Sequence, residues 1–292
     1  MSEGACLCGA VRYEAKPPFQ WMAHCHCSMC RKHNGGLHST NLGVAPENFR
    51  WLQGEAAIVR YRSSEKFERS FCGQCGCSVP DKADGVVICP AGTLDGPVDM
   101  KPGAHIFVGS KSPMCEITDK LMQFEAYPPG FGAAVPPPAH AQAAIENAAP
   151  DKVYGSCLCG DVAFEVDGKP DRVVNCHCSR CRRSRGTAYA TNFLTTPEHF
   201  RWMRGAQRVK KFAVPGAMMY GTAFCDRCGS MLPASMEPVG RYLIPVGVVD
   251  TPLQLKPGVN IYVDSKADWF DITDTLPQFA MMPPRERFKE FF

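Results

Sequence analysis

The sequence predicts a mainly β protein whose fold occurs twice along the chain. Residues 10–14, 105–108, 161–166 and 260–263 alternate apolar and polar side chains, as half-buried strands do. Gly or Pro interrupts almost every run before a third helical turn could form. Because these segments recur in the same order in both halves, we expect two copies of one architecture, built mainly of antiparallel strands with few short helices.

Length and charge narrow the class of protein. A chain of 292 residues is long enough for two domains, each with a core of its own. Its 32 basic and 29 acidic side chains leave a net charge of +3, without the concentrated basic patch that phosphate binding needs. No segment approaches the roughly 20 apolar residues that span a bilayer, and the first residues lack the apolar run of a secretion signal. We therefore expect a cytoplasmic protein without a membrane partner, and the net charge gives no indication of nucleic-acid binding.

The repeat defines the predicted domains. GACLCGAVRYE returns as GSCLCGDVAFE, CHCSMCRK as CHCSRCRR, FCGQCG as FCDRCG, and KPGAHIFVGSK as KPGVNIYVDSK. The match ends at a Pro-Pro pair in each copy, and the stretch between the copies is rich in Pro and Ala. The sequence thus predicts a first domain over residues 1–129, a semi-rigid linker over 130–152 and a second domain over 153–292.

Two short helices are predicted within the repeat. Ser28 and Ser179 each precede the last cysteine of a C-H-C-S-x-C cluster, and serine is a favoured helix N-cap. A further helical turn is expected at Pro46 and at Pro197, since Pro fits the first helical position.

The 17 cysteines depart most from ordinary composition, and in a reducing compartment clustered cysteines are more often metal ligands or catalytic thiols than disulfides. Seven positions recur in both copies. Three do not, namely Cys77, Cys89 and Cys115, which align with Ser230, Ile244 and Phe270. We expect Cys89 and Cys115 to be small core residues. Cys77 is close enough to Cys72 and Cys75 to be a spare thiol, but the missing partner in the second copy argues against a necessary ligand.

Four of the seven recurring cysteines in each copy form two separated pairs, C-x-C and C-x-x-C. Two such pairs can close a tetrahedron of sulfur around one zinc ion, which leaves no open position and so predicts a structural site. The predicted ligands are Cys6, Cys8, Cys72 and Cys75 in the first copy and Cys157, Cys159, Cys225 and Cys228 in the second.

The other three cysteines lie within six residues and can take three corners around an ion, leaving the fourth to water or a substrate. They are Cys25, Cys27 and Cys30 in the first copy and Cys176, Cys178 and Cys181 in the second. His26 and His177 lie between ligands, where the middle side chain of an extended segment points away from its neighbours. Each is expected to support the cluster from the core, with direct ligation left open.

Basic residues directly follow the third cysteine of each cluster. They are Arg31 and Lys32 in the first copy and Arg182, Arg183 and Arg185 in the second. Three thiolates on a dication leave a net negative charge, so cations here would help a carboxylate-bearing thiol to bind. The alternative is that these charges form a solvated helical face.

The combined motif resembles that of one protein family. The order G-x-C-x-C-G, C-H-C-S-x-C-R and F-C-x-x-C-G, with a later I-F/Y-V and I-T-D, is similar to the glutathione-dependent formaldehyde-activating enzymes and the related centromere protein V. The resemblance covers about residues 3–129 and 153–284. It implies two β-tent domains of coiled antiparallel sheets. The family usually has one domain per chain, so the tandem form departs from it.

The resemblance also implies site roles and a reaction. The four-cysteine sets would hold two structural zinc ions, and the three-cysteine sets would be catalytic and hold up to two more. The implied reaction joins the thiol of glutathione to formaldehyde or a related aldehyde, and its reverse is a carbon-sulfur lyase reaction. If one half has lost activity, we expect it to be the first, because the copies diverge around the clusters.

Two other functions stay open. Thiols and formaldehyde combine without a catalyst, so the chain could be a thiol carrier or sensor. A zinc-stabilised binding module for a protein or nucleic acid would need exposed basic surface, for which Lys210, Lys211 and residues 285–292 are candidates. The charges of that C-terminal tail nearly balance, so a solvated helix is expected there. Trp269 either fills the core or walls a substrate pocket.

Overall fold

The computed structural model describes residues 2–65, 67–83, 85–130, 149–217 and 220–292. Most of the linker predicted over 130–152 lies outside these residues, so the linker and the exact domain boundaries remain predictions. Below, residues 2–130 are the first half and residues 149–292 the second half.

Each half is a series of short strands, none longer than seven residues in the part of the chain that is described. The first half contains β1 Ser2–Ala5, β2 Arg12–Ala15, β3 Phe19–Cys25, β4 Ser39–Val44, β5 Phe49–Gln53, β6 Ile58–Arg62, β7 Glu68–Cys72, β8 Asp81–Ala83, β9 Val86–Pro90, β10 Leu94–Asp95, β11 Ala104–Ile106 and β12 Met122–Phe124. The second half contains β13 Lys152–Ser156, β14 Ala163–Asp167, β15 Val174–Cys176, β16 Ala190–Thr195, β17 Phe200–Arg204, β18 Val209–Ala213, β19 Gly221–Cys225, β20 Ala234–Met236, β21 Arg241–Pro245, β22 Val259–Ile261 and β23 Gln278–Phe279.

The sheets of the two halves match. The first half has sheets in the orders β10-β1-β2-β5 and β12-β11-β3-β4-β9-β8 and a hairpin β6-β7. The second half has β13-β14-β17, β20-β21-β16-β15-β22-β23 and a hairpin β18-β19. Most pairs are antiparallel, as predicted, but β11 runs parallel to β3 and β12, and β22 runs parallel to β15 and β23. The predicted mainly β fold with few short helices, repeated along the chain, is confirmed.

The described residues include three short α-helices, α1 Ser28–Asn34, α2 Ser179–Arg185 and α3 Phe288–Phe291. The predicted caps of α1 and α2 are displaced by one residue, because the N-caps are Cys27 and Cys178 rather than the serines. The sulfur of each cysteine accepts a hydrogen bond from the backbone N–H three residues later. No helix in the described ranges is long and apolar enough to cross a membrane.

Each half completes the core of the other. Trp269 of the second half is 3% exposed and belongs to the first half's core, beside residues such as Leu42. Leu37 and Met114 of the first half belong in turn to the core of the second half, with Phe164. Trp269 therefore fills the core, although not the core of its own half.

The two halves also meet around the four-cysteine turns. Phe71 and Phe224, each next to a cysteine, lie with their ring centroids 6.2 Å apart. Gly76 and Gly229, which close the C-x-x-C turns, have φ of 73° and 71°. A Cβ at either would lie within 2.5 Å of the facing phenylalanine ring. These glycines are thus required both by the left-handed turn and by the close approach of the other half.

Leu37→Ala is expected to destabilise the whole chain by about 3 kcal/mol, because it leaves a cavity in a core to which both halves contribute. Denaturant unfolding should show one transition that moves to lower denaturant concentration. Two separate transitions, with only one displaced, would contradict a shared core.

Candidate metal centres

The four-cysteine sets come together in each half. Their sulfur atoms all lie within 4.8 Å of one another. Cys6 Sγ lies 3.4 Å from Cys8 Sγ, which lies 3.7 Å from Cys72 Sγ, and the equivalent distances in the second half are also 3.4 and 3.7 Å. Tetrahedral zinc with bonds of about 2.3 Å places its sulfurs about 3.8 Å apart. The sulfur positions are therefore compatible with a zinc ion.

Backbone N–H groups donate hydrogen bonds to sulfurs of the four-cysteine sets. The N–H of Val11 donates to Cys6 Sγ, and that of Val162 to Cys157 Sγ, each at 3.3 Å. Hydrogen bonds from Cys6 and then Cys75 lower the pKa of Cys72 to about 4. A thiolate is the form that binds a metal, so this cluster suits a dication at neutral pH.

The three-cysteine sets form two further clusters, each with its sulfurs within 4.8 Å of one another. Each begins at the end of a strand, β3 or β15, and closes on the first turn of α1 or α2. Neighbouring thiols that donate hydrogen bonds, Cys25 first, lower the pKa of Cys30, and those of Cys176 and Cys181 lower the pKa of Cys178 to about 3. Three sulfurs in this arrangement can take three corners of a tetrahedron around a metal ion and leave the fourth position open.

The histidine within each C-H-C segment does not join the sulfurs. His26 is fully buried, and its Nε2 lies 2.8 Å from His105 Nδ1, while His105 Nε2 lies 3.0 Å from Asp119. In the second half, His177 Nε2 bonds to Asn260 Oδ1, and Asn260 donates to Asp274. These chains fix the histidine ring, and through it the cysteine segment, from the core.

Sequence reasoning missed these supporting residues. Asp119 and Asp274 are the aspartates of the repeated I-T-D motif, and His105 and Asn260 begin the repeated I-F/Y-V strand, so the repeat did carry a signal. It could not show that both motifs reach the C-H-C segment, because β11 joins β3 across about 80 residues of sequence.

A buried histidine cluster lies where the halves meet. His24, His26, His38 and His105 line a cavity of about 50 Å³ together with residues of the second half such as Tyr189. The ring centroids of His24 and His38 are 4.6 Å apart, and His38 Nε2 lies 3.3 Å from the Tyr189 hydroxyl. Burial, with a smaller contribution from His105, lowers the pKa of His38 to about 4.

The protein is therefore expected to lose stability below about pH 6.5. As pH falls, the unfolded chain takes up a proton on His38 before the folded chain does, so the free energy of unfolding decreases between pH 6.5 and 4. Between pH 7 and pH 5, the free energy of unfolding of the His38→Gln protein should decrease by about 2 kcal/mol less than that of the unsubstituted chain. Denaturant unfolding at both pH values, with zinc content measured in the same samples, tests this. Equal losses in the two proteins would contradict it.

The basic residues that follow the third cysteine of each cluster make different contacts. Lys32 and Arg183 reach the other half, where Lys32 pairs with Asp250 at 2.6 Å and Arg183 pairs with Asp95. Arg31 and Arg182 donate to backbone carbonyls of Ser110 and Ser265. These contacts hold the structure together. Lys32 is 4% exposed, so the alternative of a solvated helical face is wrong for this residue.

Arg185 differs from the other four. It is 6% exposed, its Nη2 donates to Asn192 Oδ1 at 3.2 Å, and its Nη1 is a buried donor without a partner among the described residues. It lines a cavity of about 710 Å³ that also reaches Cys176 and Cys181. The second three-cysteine cluster therefore opens on a space that has a cation in its wall.

The C-terminal tail contains the short helix α3, and most of its residues are exposed, as expected, but its last two residues are not solvated. Phe291 and Phe292 are partly buried and pack against a core that includes Cys176, and both line the same cavity. Arg287 pairs with Glu290 at 2.8 Å and lies over the ring of Phe279. The tail is thus part of the wall of the second cluster.

The first three-cysteine cluster has different surroundings. Nη2 of Arg69 lies 3.6 Å from Cys30 Sγ, so a cation of the chain itself contacts this cluster. Phe107 and Tyr127 lie close by, with ring centroids 4.6 Å apart. Phe107 and its equivalent Tyr262 both have a positive φ, 59° and 56°, which is rare for aromatic residues and is often found at functional sites.

The cysteines that do not recur are structural. Cys89 and Cys115 are buried in the cores, as predicted. Cys77 is also buried, and its thiol donates to the carbonyl of Arg183 at 2.7 Å across the boundary between the halves. It is outside the metal-ligand groups of the described residues.

Comparison with known proteins identifies a family and several solved structures. Residues 1–110 and 152–265 match the family model described as glutathione-dependent formaldehyde-activating enzyme. No curated protein matches the chain. A crystal structure of a Rhodobacter sphaeroides protein is 22% identical, with 33% of this chain and 91% of that chain covered and a TM-score of 0.27, which is too low to support a structural argument.

Proposed function

The chain belongs to the family of the glutathione-dependent formaldehyde-activating enzymes, and from this premise we propose that it is a zinc protein acting on adducts of a thiol with an aldehyde. The four-cysteine sets would hold one structural zinc ion each. The three-cysteine sets, Cys25, Cys27 and Cys30 with Cys176, Cys178 and Cys181, would each hold a zinc ion with one coordination position left open.

The observation that carries the proposal is the pairing, in each half, of one closed and one open sulfur cluster. Four sulfurs complete a tetrahedron, whereas three leave a position for an external thiol. The C-H-C segments are held from behind by His26 with His105 and by His177 with Asn260. Such support fixes ligand positions before the substrate binds.

Zinc bound to three thiolates would lower the pKa of an incoming thiol and so supply thiolate near neutral pH. In the proposed reaction a carbon–sulfur bond forms as the carbonyl π bond breaks, and the proton of the thiol ends on the carbonyl oxygen, with no change of oxidation state. The chain's own residues would hold the thiol and orient it. In the second half, the hydroxyl of Tyr220 bonds to Ser184 at 2.9 Å within the cavity wall, where it can hold a proton near the reacting atoms.

The binding-module alternative is less well supported by this geometry. The aromatic residues of the C-terminal tail pack on the second cluster, and Arg287 is engaged with Glu290. Lys210 and Lys211 are exposed on the two-stranded hairpin β18-β19, where they form a short basic pair rather than a broad basic surface. A thiol carrier and an enzyme would use the same site. They differ only in whether the protein accelerates the reaction of the thiol with the aldehyde.

Metal analysis and thiol titration test the proposal. The chain purified without chelator should carry two to four zinc ions, and glutathione should alter the visible spectrum of the cobalt-substituted protein. Exchange of formaldehyde between its free form and the glutathione adduct, followed by NMR, should accelerate if the protein is an enzyme and stay unchanged if it is a carrier.

Cys181→Ser with Cys30→Ser should abolish the response to glutathione while two zinc ions stay bound. Cys77→Ser is the matched control, because Ser230 occupies the aligned position in the second half. A chain that carries less than one zinc ion, or that ignores all small thiols when fully loaded, would overturn the proposed function.

A further inference from the structure

The two three-cysteine clusters differ in what surrounds them, although their cysteines align. In the second half, Thr222 and Ala234 line the cavity beside Cys181. Strand register places Arg69 and Asp81 at the equivalent positions of the first half, since β7 corresponds to β19 and β8 to β20. Two small side chains in one half are thus replaced by two charged ones in the other.

Arg69 and Asp81 form a charged group of their own beside the first cluster. Arg69 contacts Cys30 Sγ at 3.6 Å, and Asp81 Oδ1 accepts a hydrogen bond from the N–H of Ser70 at 2.5 Å. The guanidinium lies against the sulfur of Cys30 and takes up space beside this cluster. The first cluster therefore has its cation supplied from within and held by strand β7.

The second cluster has its buried cation on a different element, and this cation, like Arg69 at its Nε, has a buried donor without a partner among the described residues. Arg185 lies on helix α2, where the first half has Asn34. The other cations that line the cavity are exposed, namely Arg172, Lys211 and Arg241. The Arg185 side chain is 6% exposed, and its Nη1 is the donor without a partner in the described part of the chain. Burial of a charge without a counter-charge is costly, so an anion at this place would compensate it.

The rest of the cavity wall is mainly apolar. It includes aromatic and aliphatic side chains from four elements of the second half, namely Phe193, Leu194, Phe212, Leu243, Phe291 and Phe292. At about 710 Å³ the cavity has the size of sites that bind organic molecules of several hundred daltons. A one-carbon aldehyde would leave most of this apolar surface without a contact.

Resting on the proposed function, we propose that the second three-cysteine site alone takes ligand, and that this ligand is a thiol compound combining an anionic group beside Arg185 with a bulky apolar group. The first site is closed to the same ligand by Arg69 and Asp81. Accordingly, either the aldehyde or the thiol carries an apolar chain or ring.

Calorimetric titration of the zinc-loaded full chain with three thiols tests the ligand class. The probes are mercaptoacetate, 2-mercapto-3-phenylpropanoate and phenylmethanethiol, which separate the anionic group from the apolar one. The phenyl-bearing acid should bind with one equivalent per chain and about tenfold or more tighter than mercaptoacetate, because its ring is buried. Cys181→Ser should abolish this binding and Cys30→Ser should leave it.

Arg185→Asn, which copies Asn34, should weaken both acids about tenfold and leave phenylmethanethiol unchanged. Lys210→Asn removes an exposed cation outside the cavity wall and should change none of the three affinities. Thermal unfolding of each variant, with and without the phenyl-bearing acid, gives a second readout, since a ligand that binds raises the melting temperature.

Substitutions between the small pair, Thr222 and Ala234, and the charged pair, Arg69 and Asp81, test the difference between the two sites in both directions. Arg69→Thr with Asp81→Ala should raise the binding from one equivalent to two. Thr222→Arg with Ala234→Asp should reduce it to none while the zinc content is kept, so the inference remains testable if the first pair does not fold.

Equal affinity for mercaptoacetate and the phenyl-bearing acid would overturn the ligand class, and two equivalents in the unsubstituted chain would overturn the asymmetry. In both cases the proposed function would stand. Failure of all thiols, glutathione included, to bind the zinc-loaded chain would overturn the proposed function as well.

Discussion

Cys225→Ser is expected to lose one zinc ion per chain and to unfold the protein at ordinary temperature. Structural zinc bound to four thiolates contributes an apparent folding free energy of about 10–16 kcal/mol, comparable with or larger than the whole stability of about 5–15 kcal/mol of a typical domain. Cys225 ends β19 and lies 3.7 Å from Cys159 Sγ, so its loss releases the first strand of the half from the distant turn. Since each half completes the other's core, both halves should unfold together.

Zinc content by mass spectrometry and circular dichroism against temperature measure this result. Cys77→Ser is the control, as it replaces an equally buried thiol outside the metal-ligand groups and should cost about 1 kcal/mol with unchanged zinc. A Cys225→Ser protein that keeps both its zinc content and its melting temperature would show that the four-cysteine cluster is not a structural metal site.

Asp250→Asn is expected to destabilise the chain by about 3–5 kcal/mol, because it leaves the charge of Lys32 buried without its partner. The Nζ of Lys32 lies 2.6 Å from Asp250 Oδ1, and the two side chains are 6% and 3% exposed. Ser156 bonds to both, so the pair is enclosed in the boundary between the halves.

The chain provides a matched control in Asp271, which pairs with Lys101 across the same boundary at the same distance of 2.6 Å, but with side chains 61% and 62% exposed. Asp271→Asn should cost at most about 1 kcal/mol, since an exposed pair gains little over its hydration. The free energies of unfolding from urea titration compare the two variants. Equal losses would mean that burial of the Lys32 pair does not determine its energetic role.

The sequence predicted local features well because they depend on local patterns. Strands such as β2 and β14 follow from alternation over a few residues, and the grouping of the cysteines follows from the repeat and the short spacing of C-x-C, C-x-x-C and C-H-C-x-x-C. The helix that follows each three-cysteine cluster was also predicted, although its cap is Cys27 rather than Ser28, since a sulfur accepts the capping hydrogen bond as an oxygen would.

The contacts of the basic residues could not be predicted from local sequence patterns. Lys32 and Arg185 both follow a third cysteine and look alike in sequence. Lys32 turns to a carboxylate of the other half, whereas Arg185 lines a cavity and has a donor without a partner in the described part of the chain. The difference depends on which surface of the opposite half faces each position of the helix.

By itself, the sequence determined the duplication, the mainly β class and the division of fourteen cysteines into fours and threes, because repeated motifs and short spacings carry this information. Only the tertiary structure decided that the halves share their cores and that the end of the C-terminal tail packs beside the second three-cysteine cluster. It also decided that Arg69 contacts the first three-cysteine cluster, whereas a cavity lies beside the second. These features arise from contacts between residues far apart in the chain, and a side chain's partner across such a contact is set by packing rather than by its neighbours in sequence.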